Sequence, residues 1–354
     1  MDERADALAE RLFGSLLGSM EVLTVYLGDR LGLYRALAEG DATPEDLAAR
    51  AGIHPRYARE WLEQQAAAGI VDVVGDGDGS GRRYGLPDEH AEVLVNPDSL
   101  NHVTPFARMV VAAGQQLPAL MKAYRDGGGV SWAQFGPDMR EGQEYGNRPA
   151  FLGLLGQEWF PAVPEIHDRL TEGPTRVADI GCGGGWSTLA IAKAYPLARV
   201  EGFDIDEPAI ERARGHAHAS GLADRVRFHA RDLEELDEGS YDLVTAFECI
   251  HDMPHPVSVL AEMRRLAGPD GIVMVMDERV AESFSAPADE IERLMYGWST
   301  LVCLPDGMAH PDSAATGTVM RPATLERYAR EAGFDRVEIL PIEHDFWRFY
   351  RLFP

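Results

Sequence analysis

Two groups of residues in this 354-residue chain have the types and spacing to do chemistry. The first is Ile250-His251-Asp252-Met253-Pro254-His255, followed by Asp277 and Glu278 at the end of the next apolar run. A phenol or alcohol has too high a pKa to leave much anion at neutral pH, so a histidine beside it can serve as general base. His251 is the candidate for that role, with Asp252 next to it and Asp277 or Glu278 to orient the ring. The second group is Val177-Ala178-Asp179-Ile180-Gly181-Cys182-Gly183-Gly184-Gly185-Trp186. An apolar strand that ends in an acid, breaks into alternating glycines and then starts a helix builds a nucleotide-type ligand site out of backbone.

What the turn lacks narrows the ligand. A dinucleotide fingerprint counted from Gly181 needs a third glycine at position 186, where this chain has Trp186. Asp179 would also repel a pyrophosphate seated at the helix N-terminus. A ligand with an ammonium group and a cationic centre tolerates both features, and S-adenosylmethionine has these together with a ribose and an adenine. Asp179 can attract the ammonium end, directly or through water, while Gly181, Cys182, Gly183 and Gly185 offer backbone for close approach. Asp204, ending Val200-Glu201-Gly202-Phe203-Asp204, is placed for two charge-assisted hydrogen bonds from the ribose hydroxyls. Asp232, in Phe228-His229-Ala230-Arg231-Asp232-Leu233, can accept from the adenine amino group, with Ile205 and Leu233 against the ring. Phe247 and Glu248 end the fourth strand beside the methyl-donor end.

In order along the chain stand D-x-G-x-G-x-G at 179–185, G-x-D at 202–204, R-D-L at 231–233 and Y-D-L-V-T at 241–245. With these motifs the segment 176–354 resembles the class I S-adenosylmethionine-dependent methyltransferases. The whole chain is similar to bacterial methyltransferases with an N-terminal winged-helix domain, which share their layout with plant small-molecule O-methyltransferases. The resemblance implies S-adenosylmethionine as cofactor, a small-molecule acceptor, and an N-terminal domain that dimerises and helps to cover the substrate. It also places His251 where the plant enzymes carry a catalytic histidine in an H-D-W segment, although this chain reads His251-Asp252-Met253. A further acid that the plant pattern expects near 317–321 is missing.

The elements that must position these residues follow from periodicity. Short apolar strands at 176–180, 199–203, 225–229, 241–246 and 271–276 alternate with helical stretches near 186–195, 207–219 and 256–267. That rhythm predicts an α/β fold, a Rossmann-like doubly wound parallel sheet, with the runs 337–340 and 346–352 forming an antiparallel hairpin at its edge. Upstream, Thr43-Pro44-Glu45-Asp46 starts a helix that Gly52 closes, and a second helix runs from about His54 to Ala68. A glycine-tipped hairpin around 75–81 completes a winged helix-turn-helix. We therefore expect a winged-helix dimerisation domain at 1–98, a helical connector and pocket wall at 99–170, and a cofactor-binding domain at 171–354 with a lid insertion near 280–321. The lid and the apolar residues of 106–121 would enclose a hydrophobic or aromatic acceptor.

Composition removes other classes. A formal net charge of -25 repels polyanions. Residues 1–98 hold 9 Arg and no Lys against 19 acids, so the winged helix lacks the basic stripe of a DNA reader. The charged opening Met1-Asp2-Glu3-Arg4-Ala5-Asp6, and the lack of any apolar run of about 18 residues, predict a cytoplasmic protein without signal peptide or membrane span. Cys182, Cys249 and Cys303 lack disulfide or zinc-motif spacing. Pro254 and Pro256 break any helix through His251 and His255, so no metal is expected. The expected protein is a homodimer that methylates a small molecule, most readily at oxygen. Two rivals are a ligand-sensing transcriptional regulator with a methyltransferase-like fold and an S-adenosylmethionine-binding enzyme of non-methylating chemistry.

Overall fold

The computed structural model describes residues 3–75, 77, 81–231 and 241–354. They form two compact units, one of 1–114 with 141–149 and one of 115–140 with 150–354. Residues 99–170 are thus divided between both units and do not stand apart from them.

The first unit opens with a 28-residue helix, Glu3–Arg30, and a short one, Leu33–Ala38. Helix Pro44–Ala51 starts as its residues dictate: the Thr43 side chain accepts from Asp46 N, the Asp46 carboxylate accepts from Thr43 N, and Gly52 ends it in a left-handed conformation. Helix Pro55–Ala67 is capped by His54. Strands β1 (Asp72–Val74) and β2 (Arg83–Gly85) pair antiparallel as the wing. Leu33, Tyr34, Leu37, Leu47, Leu62 and Tyr84 fill the core of this winged helix-turn-helix.

The second unit is a seven-stranded sheet. Its strands are β3 (Thr175–Ile180), β4 (Ala198–Asp204), β5 (Val226–Ala230), β6 (Leu243–Phe247), β7 (Ile272–Glu278), β8 (Arg336–Ile339) and β9 (Trp347–Phe353). Their order is β5-β4-β3-β6-β7-β9-β8. The first five are parallel, and the C-terminal pair is antiparallel, so the expected edge hairpin is present. Alternate residues of each strand feed two cores. Val177, Val200, Leu243 and Met274 pack with helices Trp186–Ala194 and Glu207–Ala219, whereas Ala178, Val244, Val273 and Val275 pack with helices Pro256–Ala267 and Pro322–Glu331. Burial on both faces explains why β6 is apolar except for Thr245 and β7 is apolar up to Asp277.

The winding reverses between β3 and β6, and the crevice outside the carboxyl ends of such strands is where an open α/β sheet binds its ligand. Gly185 makes the turn there possible. It has φ 82°, and a Cβ on it would lie 2.5 Å from the Phe228 ring, so neither the backbone nor the packing admits a side chain. After β7 the 280–321 insertion forms helix Glu290–Trp298, a π-helical turn Ser299–Cys303 and helix Leu304–Met308. Among the described residues no helix is long and apolar enough to cross a membrane.

Candidate active site

The glycine turn is pinned from two sides. On one, Gly181 N and Cys182 N both donate to Phe203 O, at 2.8 and 3.2 Å. On the other, the Asp204 carboxylate accepts from Gly183 N at 2.9 Å and from Asp206 N at 2.8 Å. Gly183 has φ 49°, and no atom lies within 4 Å of where its Cβ would be, which leaves its surface clear for a ligand. Ile205, next to Asp204, is 75% exposed, an apolar side chain left bare at the strand end. Burial raises the Asp204 pKa, and neighbouring Asp206 adds to it, against the backbone N–H donors.

Asp179 faces the interior beneath the turn. It is fully buried, and its oxygens are engaged by three hydroxyls: Ser187 and Thr188 donate to Oδ2 at 2.6 Å each, and Thr245 donates to Oδ1 at 3.0 Å. Burial pushes its pKa up to about 6 despite these donors. It therefore ties β3, β6 and the helix N-terminus together from inside. Cys182 turns its thiol into the core, 8% exposed, where Sγ donates to Gly183 O at 3.9 Å. Phe247 is 6% exposed and packs against Phe151 with ring centroids 5.5 Å apart. Asp232 and Leu233 lie outside the described residues.

The catalytic candidates do converge. His251 is 4% exposed, with Nδ1 2.7 Å from Asp277 Oδ1 and Nε2 3.3 Å from Asp252 Oδ1. Asp277 Oδ1 also accepts from Glu278 N at 2.9 Å, which fixes the carboxylate that orients the ring. Burial disfavours the imidazolium, but the charges of Asp252 and Asp277 outweigh it and raise the His251 pKa well above the ordinary range. Glu248 has φ 55°, a left-handed conformation that costs a non-glycine residue about 1–2 kcal/mol. Its carboxyl hydrogen-bonds that of Glu278, whose pKa burial and Glu248 together raise. His255 is exposed and stands apart at the start of helix Pro256–Ala267.

Three groups escaped the sequence reading. Ser187 and Thr188, two hydroxyls directly after the glycine turn, were the visible signal for a buried acid beneath it. Thr245 pairs with Asp179 through strand register alone. Cys303 reaches His251 from the insertion, with no spacing signature, and hydrogen-bonds to it.

Sheet order, glycine turn and the acid at the end of β4 define an α/β enzyme that binds a nucleoside ligand at its carboxyl edge. Residues 172–320 match the family model of a methyltransferase domain, and residues 19–96 that of an Rv2258c-like winged HTH domain. The chain is 34% identical over 180 residues to the ubiquinone biosynthesis O-methyltransferase of Thiobacillus denitrificans, covering 50% of this chain and 72% of the relative. It is 30% identical over 239 residues to the 27-O-demethylrifamycin SV methyltransferase of Amycolatopsis mediterranei, covering 56% and 88%. Among solved structures, the mitomycin 7-O-methyltransferase MmcR superposes with a TM-score of 0.70 at 22% identity, over 99% of this chain and 98% of the other. The chain belongs to the S-adenosylmethionine-dependent methyltransferases, with an N-terminal winged-helix domain. The open face at Gly183, the carboxylate of Asp204 and the bare Ile205 fit that cofactor.

The Asp179 network makes a measurable demand. With a folded pKa near 6 and an unfolded one near 4, this carboxyl favours folding fully below about pH 4 and loses that contribution as pH rises through about 6. Thr188→Val removes one donor to the charged form. It should lower unfolding free energy by about 1.5–3 kcal/mol at pH 8, and by less at pH 5 where the carboxyl is mostly protonated. Urea denaturation at the two pH values checks this, and equal losses would refute it.

Proposed function

We propose that this methyltransferase acts on an oxygen of a small, apolar or aromatic acceptor, with His251 as general base. The observation that carries the reading is the 2.7 Å pair of His251 Nδ1 and Asp277 Oδ1 at the carboxyl edge of the sheet. With Nδ1–H donating to the carboxylate, the Nε2 lone pair is left to take the hydroxyl proton of an acceptor. The names of the ubiquinone, rifamycin and mitomycin relatives, each of which specifies an oxygen, support that atom.

S-Adenosylmethionine supplies an electrophilic methyl group on a sulfonium, whose sulfur keeps the bonding pair when the acceptor oxygen takes the carbon. The chain's own work is to hold and orient. Asp204 would take the ribose hydroxyls through the lone pairs its backbone donors leave free, and Ile205 would lie against the adenine. Gly181, Gly183 and Gly185 admit the amino-acid end, while Asp179 acts through the turn it anchors. Glu248 and Glu278 would present carboxyl oxygens to the cationic end of the cofactor. The insertion 280–321 serves as the lid, since its Cys303 already touches His251.

The second copy is proposed on helix Glu3–Arg30. Leu12, Phe13, Leu16, Leu17, Met20 and Leu23 on it are between 43% and 61% exposed, an apolar stripe of the kind that marks an interface. The winged helix does not read DNA in this proposal: Arg56 pairs with Glu60 and Arg59 with Glu63 along the would-be recognition helix.

Three measurements test these assignments. Calorimetric titration should show S-adenosylmethionine binding weakened at least about 30-fold in Asp204→Ala, in line with the loss of two charge-assisted hydrogen bonds; unchanged affinity removes Asp204 from the site. In a mass-spectrometric assay with phenolic acceptors, His251→Ala should lose about 10²–10⁴ in kcat while binding the cofactor normally. Because the base works only when unprotonated, the wild-type rate should rise with pH to an inflection above the ordinary histidine value of about 6.5, and Asp252→Asn should move that inflection down; a pH-independent rate in the wild type excludes the role. Light scattering should give a dimer for the wild type and a monomer for Leu16→Asp, and a monomeric wild type would end the dimer proposal.

A further inference from the structure

The Nε2 face of His251 carries a second possibility. A ligand atom from each of His251, Asp252 and Cys303 lies within 4.8 Å of the other two. His251 Nε2 and Asp252 Oδ1 are 3.3 Å apart, which is the separation of two donors bound to one tetrahedral zinc at about 2.0 Å each. A thiolate bound at about 2.3 Å would stand about 3.6 Å from the nitrogen, inside the 4.8 Å that spans the three donor atoms. Asp252 Oδ1 is buried and, among the described residues, accepts no hydrogen bond. Behind the ring, Nδ1 donates to Asp277, the carboxylate–histidine arrangement that fixes the tautomer of metal-binding imidazoles. The Asp252 side chain as a whole is 33% exposed, although Oδ1 itself is buried. Cys303 is delivered by the π-helical turn Ser299–Cys303, a distortion that often occurs at functional sites.

We propose that His251, Asp252 and Cys303 form a three-ligand site for a thiophilic divalent cation, zinc foremost. One nitrogen, one oxygen and one sulfur suit zinc and reject magnesium and calcium, which demand six or more oxygens. On binding, the Cys303 thiol releases its proton to solvent and the sulfur donates to the metal, while Nε2 donates its lone pair. That lone pair can no longer take a proton from an acceptor, so bound zinc switches methyl transfer off. This consequence rests on the base role of His251, whereas the binding itself does not.

The test uses the full-length protein and the metals alone. Zinc titrated against a chromophoric chelator should bind at one equivalent per chain, micromolar or tighter, and magnesium should not compete. Cobalt should give a thiolate-to-metal charge-transfer band. Cys303→Ser should abolish the band and weaken zinc at least tenfold, Asp277→Asn should weaken it about 10–100-fold, and His255→Ala should leave it unchanged. No saturable binding, or the same affinity in Cys303→Ser and His251→Ala, overturns the site; circular dichroism confirms folding, and Asp252→Asn replaces any variant that fails it. In the methylation assay one equivalent of zinc should lower the rate more than tenfold, reversibly with a chelator. Zinc bound with an unchanged rate would leave the metal site standing and refute the base role. A raised rate would overturn the inhibitory function.

Discussion

A carboxylate held in the interior is the constraint on which this site depends. Asp179, the penultimate residue of β3, is fully buried, where an ionised group survives only if its oxygens are satisfied. Ser187, Thr188 and Thr245 supply three hydroxyls from the following helix and from β6. The glycine turn is what remains between these fixed points. Its path is then set by the two N–H donations to Phe203 O and by the Asp204 carboxylate. One acid inside and one at the rim thus define the cradle, and neither could move without releasing a buried charge or an unpaired N–H.

The same edge gathers acids in a way that a random surface would avoid. Asp204, Glu248, Asp252, Asp277 and Glu278 all follow or end strands β4, β6 and β7. Burial together with mutual repulsion raises the pKa of Glu278, whose carboxyl hydrogen-bonds that of Glu248. The charges of Asp252 and Asp277 in turn raise the pKa of His251 against its burial. Such a field welcomes a cation. A sulfonium and a zinc ion satisfy it for the same electrostatic reason, and geometry decides which group each one meets.

Much of this was legible in the sequence because it is local. Apolar runs of strand length separated by helical stretches gave the α/β architecture, and the acid at position 204 follows from where the second run stops. Thr43, Pro44 and Gly52 announced the winged helix by capping chemistry. The inward turn of Asp179 was not legible, since a strand-end acid reads the same whether its partners are hydroxyls beneath it or a ligand above it. Nor was the division of residues 99–170 at 115, 141 and 150, because helical periodicity reports an apolar face and not the core it joins. The meeting of Cys303 with His251 depends on how the insertion folds back after β7, a path fixed by tertiary packing.

That meeting carries the sharpest tension in the molecule. An orienting carboxylate such as Asp277 improves a histidine both as a base and as a ligand, because each role uses the same Nε2 lone pair. What separates the roles is the company on the other side of the ring. An acceptor hydroxyl needs that face clear, whereas Asp252 and Cys303 crowd it with two further donors. Cys303 sits on the insertion, so any displacement of that turn by an arriving acceptor would dismantle the three-donor set while leaving the Asp277–His251 pair intact. On the proposed roles, the insertion would then decide between the two chemistries, with the imidazole serving as base only while its thiol neighbour is held away.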